Sequence, residues 1–105
     1  MKIRKKGEGR VVAVPESKID ITNSQEVKEE LLGLIKEGYT EITIDFTKVD
    51  NVDSSGLGKL LLLHKRLKEE DGKLRIINVT SDYVRKMFSM IHLNKVLEIE
   101  GLEQE

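Results

Sequence analysis

Hydrophobic and polar positions along the chain fall into two alternating periods. Lys2 to Lys6 alternates weakly, Gly7-Glu8-Gly9 reads as a turn, and Val11 to Val14 form an apolar run that the single proline, Pro15, ends, so the chain opens on a hairpin. A loop from Glu16 to Thr22 follows, containing Asp20. Thr22 with Gln25, or Asn23 with Glu26, offers a capping box, and Val27, Leu31, Leu34 and Ile35 then recur at helical spacing up to Gly38, a natural stop. From Glu41 to Phe46 the period changes to two, with Ile42, Ile44 and Phe46 on one face, which predicts a strand. Leu57, Leu60, Leu61, His64 and Leu67 line one face of a second helix that Gly72 ends; Leu62 and Leu63 fall off this stripe, so the helix is expected to be covered on more than one side. Leu74, Ile76, Ile77 and Val79 make another apolar strand. Thr80 or Ser81 caps a helix carrying Val84, Met87, Phe88 and Ile91, and Val96, Leu97 and Ile99 allow a last short strand.

Strand, strand, helix, strand, helix, strand, helix is an order that demands crossover helices. The expected fold is α/β: a mixed, mostly parallel sheet of four to five strands with an N-terminal antiparallel hairpin, built as one domain over residues 1–105. Sites in such sheets gather where strands end and helices begin. The run Val49 to Leu63, VDNVDSSGLGKLLLL, lies at such a place: Asp50 and Asp53 lead into Ser54 and Ser55, then Gly56, Leu57 and Gly58, then a block of leucines expected to be buried. Ser and Asp cap helices by accepting the unpaired N–H groups of the first turn, and those groups with the helix dipole also favour an anion. One helix needs one N-cap residue. Capping and a reversibly written charge are therefore both open readings for the serine pair.

Composition narrows the chemistry. The 105 residues are 38% hydrophobic and 35% charged, with 18 Lys and Arg against 19 Asp and Glu, a formal net charge of −1. No global field recruits nucleic acid or anionic lipid. Cysteine is absent, which excludes disulfides, thiolate metal sites and cysteine nucleophiles. The basic opening MKIRKKGEGR precedes no apolar run of signal-peptide length and no segment is long and apolar enough to span a membrane, so a soluble cytoplasmic protein without membrane partners is expected.

Several familiar motifs fail on inspection. Leu61 stands where a dinucleotide fingerprint starting at Gly56 needs its third glycine, and Leu60 replaces the Ser or Thr that a phosphate loop needs after Gly58-Lys59. The serines lack an esterase frame, and neither His64 nor His92 is placed as a base, so no catalytic residue and no enzyme is expected. Asp20, Asp45, Asp50 and Asp53 match no cation-loop spacing and read as turn and cap residues; no metal or cofactor is expected. Lys2, Arg4, Lys5, Lys6 and Arg10 read as a solvated edge strand, since 4% aromatic content leaves few stacking platforms for a nucleic acid. Met90 and Phe88 are candidates for a partner surface.

Ile42-Thr43-Ile44-Asp45-Phe46, Val52-Asp53-Ser54-Ser55-Gly56-Leu57-Gly58 and Leu74-Arg75-Ile76-Ile77-Asn78-Val79 together resemble the STAS domain, most closely the bacterial anti-sigma factor antagonists. The likeness runs from about Arg10 to Ile99. It implies that Ser54, directly after the aspartate, is phosphorylated by an anti-sigma factor that is also a serine kinase. It further implies that the unmodified chain binds that partner and frees sigma, and that a PP2C-type phosphatase resets the cycle. The implied switch surface comprises Asp20, Asp50, Asp53, Ser55, Gly56, Leu57 and Gly58 around Ser54. The family's loop after the second strand often reads Gly-Glu-Leu-Asp; Pro15-Glu16-Ser17-Lys18-Ile19-Asp20 is longer and lacks the glycine. A monomer or weak dimer is expected of such a switch. The same resemblance also admits a constitutive scaffold of stress-signalling assemblies, a small lipid-transport subunit, or the cytoplasmic domain of an anion transporter.

Overall fold

The computed structural model describes residues 1–102. The strands β1 (Lys2–Gly7) and β2 (Arg10–Val14) form the opening hairpin, followed by a two-residue strand β3 (Lys18–Ile19) and the helix α1 (Ser24–Lys36). Next come β4 (Glu41–Asp45), a second two-residue strand β5 (Asn51–Val52), α2 (Ser54–Glu69) and β6 (Lys73–Ile77). Then α3 (Asp82–Met90), a single 3-10 turn (Leu93–Lys95) and β7 (Glu98–Ile99) complete the described chain. The main sheet has five strands in the order β1-β2-β4-β6-β7, antiparallel only between β1 and β2. The expected hairpin-led, mostly parallel α/β sheet is thus the one formed. Separately, β3 and β5 pair in parallel as a two-stranded ribbon, inside what the sequence suggested was a loop.

Strand order decides where the helices lie. From β2 to β4 to β6 to β7 each crossover steps one strand further in the same direction, and right-handed crossovers then put α1, α2 and α3 on one face. Burial follows the register: Val11, Ile42 and Leu74 form one buried row, and Ala13, Ile44, Ile76 and Ile99 the next. Phe46 and Phe88 meet at 5.8 Å between ring centroids and tie α3 to the end of β4. The residues between these rows, Val12, Thr43, Arg75 and Glu98, point to the opposite face, which no helix of the described residues covers. Mostly parallel sheets usually have both faces covered. Here one side stays wet and charged.

The helices depart from their sequence reading in instructive ways. Val27, Leu31, Leu34 and Ile35 are buried as their spacing requires, and Gly38, at φ 107°, closes α1 while Tyr39 N–H donates back to the Leu34 carbonyl at 3.1 Å. The expected capping box does not form. Asn23 is the N-cap, but its side chain bonds the preceding loop instead. In α2 the buried stripe is Gly56, Leu60, Leu63 and Leu67, so Leu63 is core while Leu61 and Leu62 are exposed by 37% and 38%. The leucine block is therefore split: of the face read from the sequence, Leu60 and Leu67 are buried, whereas Leu57 and His64 are half-buried and Leu61 is exposed. At the end of α2 it is Asp71, at φ 57°, that turns left-handed; Gly72 is needed because a Cβ there would lie 2.1 Å from the Thr40 carbonyl oxygen. Ser81 rather than Thr80 caps α3, its Oγ accepting from Val84 N–H at 3.3 Å. Phe88 is fully buried and so cannot serve a partner, whereas Met90 and Ile91 face solvent.

Candidate functional site

The ribbon of β3 and β5 carries the loop before α1 to the start of α2. Lys18 pairs with Asn51 and Ile19 with Val52, and Asp50 N–H donates to the Ser17 carbonyl at 2.9 Å. Asp53 fixes both sides of the junction. Its Oδ1 accepts from Gly56 N–H at 2.9 Å, which caps α2, and its Oδ2 accepts from Ile21 N–H at 3.0 Å, which holds the β3–α1 loop. Asn23 stiffens the same loop by accepting from Asp20 N–H at 2.9 Å and donating to the Lys18 carbonyl at 2.7 Å. The approach of loop and helix is so close that a Cβ on Gly56 would lie 2.0 Å from the Ile19 carbonyl oxygen. Only glycine fits there without a shift.

Because Asp53 does the capping, neither serine does. Ser54 is the first residue of α2 and is exposed; Ser55 is half-buried, and no side-chain hydrogen bond engages either hydroxyl among the described residues. Four residues on, about one turn, Gly58 is exposed with open space where a side chain would be. Leu57 is half-buried against the core, and Asp50 is exposed beside the junction. Ile21 stands out as 72% exposed on the loop that Asp53 holds.

The carboxylates sort into separate tasks. The Thr22 hydroxyl, then its N–H and Lys18 at 3.7 Å, hold the Asp20 carboxyl below its ordinary value against the opposing pull of desolvation. Asp45 is also lowered: partial burial pushes it up, but the Thr47 hydroxyl and N–H and the Asn78 amide outweigh that, joining the ends of β4 and β6. Among the described residues no three acidic or imidazole groups come close enough to share a metal ion. His64 sits ten residues after Ser54 on the same helix, roughly 15 Å along its axis. Burial, helped by Lys68, lowers its pKa. It is too far away to act as a base for Ser54.

Asp53→Ala tests the junction. The variant is expected to lose about 1–2 kcal/mol in urea unfolding, the magnitude of a lost cap. Its amide spectrum should change at Lys18 to Ile21 as well as at the start of α2. Changes confined to α2 would mean that the Ile21 bond holds nothing in solution.

Sequence reasoning placed Asp20, Asp50, Asp53, Ser54, Ser55, Gly56, Leu57 and Gly58 together, and the structure brings them to one end of the molecule around the ribbon. It missed Ile19, Ile21 and Asn23. The alternation of Ile19 and Ile21 about Asp20 was the available signal, too short to distinguish from a loop.

Fold and junction define a one-sided α/β domain that presents an exposed serine at the start of a helix capped by the residue before it. A profile of the STAS domain matches residues 2–105, and the chain belongs to the STAS domain family. The anti-sigma-B factor antagonist of Listeria monocytogenes is 33% identical over 88 residues, covering 83% of this chain and 75% of that protein. That of Staphylococcus aureus is 30% identical over 88 residues, covering 83% and 81%. Among solved structures, the anti-sigma factor antagonist SpoIIAA in its unphosphorylated form superposes with a TM-score of 0.73 at 21% identity, covering 93% of this chain and 84% of that one. Among the described residues no helix is long and apolar enough to cross a membrane.

Proposed function

We propose that this chain is an anti-sigma factor antagonist acting as a single STAS domain, and that its affinity for the anti-sigma factor is switched by phosphorylation of Ser54. The observation that carries the reading is the division of labour at the start of α2: Asp53 caps the helix, leaving the exposed Ser54 hydroxyl without a structural partner. A kinase can reach it without unfolding the helix. The partner-binding surface in this reading is the junction itself, with Asp20, Asp50, Asp53, Ser55, Leu57 and Gly58 around the serine, while Gly56, which the sequence placed on that surface, is buried and holds helix and loop together beneath it. The relatives named anti-sigma-B factor antagonists support the role, and SpoIIAA of Bacillus, which shares the fold, is known in a phosphorylated form. The kinase is the anti-sigma factor itself, a PP2C-type phosphatase resets the cycle, and the chain works in the cytoplasm as a monomer or weak dimer. It is a substrate and a binder, not an enzyme.

Size-exclusion chromatography of a sigma–anti-sigma complex from the same organism tests this. Adding the unmodified chain is expected to move the anti-sigma factor into a new complex with it and to leave sigma free. A sigma complex that stays intact with every serine-kinase anti-sigma factor of that organism would refute the assignment.

A further inference from the structure

We propose that the uncovered face of the sheet binds a small soluble phosphate-bearing anion, at a site remote from Ser54 and independent of the switch. The face is concave rather than flat and encloses a cavity of about 340 Å³, within the range of small-molecule sites. Its walls carry four cations, Lys6, Arg10, Lys73 and Arg75, against two carboxylates, Glu41 and Glu98. In a chain whose formal charge is −1, that concentrates positive charge in one hollow.

The cations differ in how far they are already engaged. Arg75 is held by Glu98 at 2.7 Å and by Glu100 at 3.5 Å, so it belongs to the wall. Lys73 is only loosely paired with Glu41 at 3.9 Å, and Arg10 with Glu8 at 4.0 Å, the Glu8 side chain being 89% exposed. Lys6 makes no ion pair among the described residues. Arg10, Glu41 and Lys73 are register partners on adjacent strands, so Arg10 and Lys73 stand two strands apart, roughly 10 Å, at the amino end of the parallel strands. Glu41 stands between them with its carboxylate turned to Lys73, so the two least engaged cations, Lys6 and Arg10 at the hairpin end of the hollow, are the ones left to take a phosphate, with Lys73 on its far side. Val12 and Thr43 lie two residues further along β2 and β4 on the same face, supplying an apolar surface and a hydroxyl for the rest of a ligand. The Ser54 junction lies beyond the opposite, carboxyl end of these strands.

The test is a titration of the ¹⁵N-labelled chain with sodium pyrophosphate at constant ionic strength, followed by amide shifts. Saturable shifts are expected at Arg10, Val12, Thr43 and Arg75, with an apparent Kd of about 1 mM or tighter. The exposed pair Lys6→Gln/Arg10→Gln should weaken binding about tenfold, by the arithmetic of two lost charge contacts, while the remote pair Lys65→Gln/Lys95→Gln leaves it unchanged. Shifts that never saturate, shifts centred on the start of α2, or equal losses in both variant pairs would overturn the site. Co-sedimentation with phosphatidylglycerol vesicles separates a lipid headgroup from a free anion: binding to vesicles without a response to pyrophosphate would overturn the soluble ligand.

Discussion

Gly56→Ala is expected to lower the unfolding free energy by about 3 kcal/mol, while Gly58→Ala, two residues on, is expected to raise it by up to about 1 kcal/mol. The two glycines share one short motif, yet their surroundings are opposite. A methyl group on Gly56 would sit 2.0 Å from the Ile19 carbonyl oxygen and 3.1 Å from the Ile19 Cγ2. Backbone cannot yield as a long side chain can, so α2 must move away from β3. That movement stretches the bonds from Asp53 to Gly56 and Ile21, and it opens the contact between the buried Ile19 and the helix. At Gly58 nothing lies within 4 Å, and alanine gains helix propensity at no steric cost. Urea unfolding of both variants decides the matter. Equal effects would mean that the ribbon and α2 do not pack as described. Because Gly58→Ala keeps the fold, any loss of partner binding it causes reports on the interface alone.

The strong periodic segments were legible in the sequence because each buries one face against the others. Ile42, Ile44 and Phe46 alternate without interruption, and all three are buried in β4 and just beyond it. Val27, Leu31, Leu34 and Ile35 do the same for α1. The face of α2 was misread because its buried stripe begins with Gly56, which carries no hydropathy to count; taking Leu57 as the anchor instead brought in the exposed Leu61 and left out the buried Leu63. Strands β3 and β5 are two residues each, below the length at which a period can show. Their pairing joins residues about thirty positions apart, and that pairing is what gives Asp53 its second bond. The Asp-Ser-Ser-Gly run marked the place of the site, but the roles within it needed coordinates: either serine was a plausible cap until Asp53 was seen to take that role. The bare sheet face was likewise invisible, since it follows from strand order and not from any one segment.

Ser54→Ala is expected to bind the anti-sigma factor as tightly as the natural chain, and Ser54→Asp roughly thirtyfold more weakly, a difference of about 2 kcal/mol. The Ser54 hydroxyl has no partner within the described chain, so its removal disturbs neither the cap nor the loop. A carboxylate there is a different matter. The positive end of α2 favours it, but Asp53 precedes it and the exposed Asp50 lies nearby, so negative charge accumulates on the surface offered to the partner. A phosphate, carrying about −1.5 to −2 at neutral pH, acts in the same direction and more strongly. Since Gly56 N–H and Ile21 N–H are already bonded to Asp53, the change is written on the surface and not into the fold. Both variants should therefore unfold within about 0.5 kcal/mol of the natural chain. Equal affinity of the two for the anti-sigma factor would remove Ser54 from the switch.

The most direct measurement is fragment mass analysis of the chain after incubation with ATP and its serine-kinase anti-sigma factor, followed by re-measurement of binding. One phosphoryl group located on Ser54, dependent on the kinase and accompanied by release of the partner, is the expected result. A phosphoryl group on Ser55 alone, or full binding by the Ser54-modified chain, would contradict it.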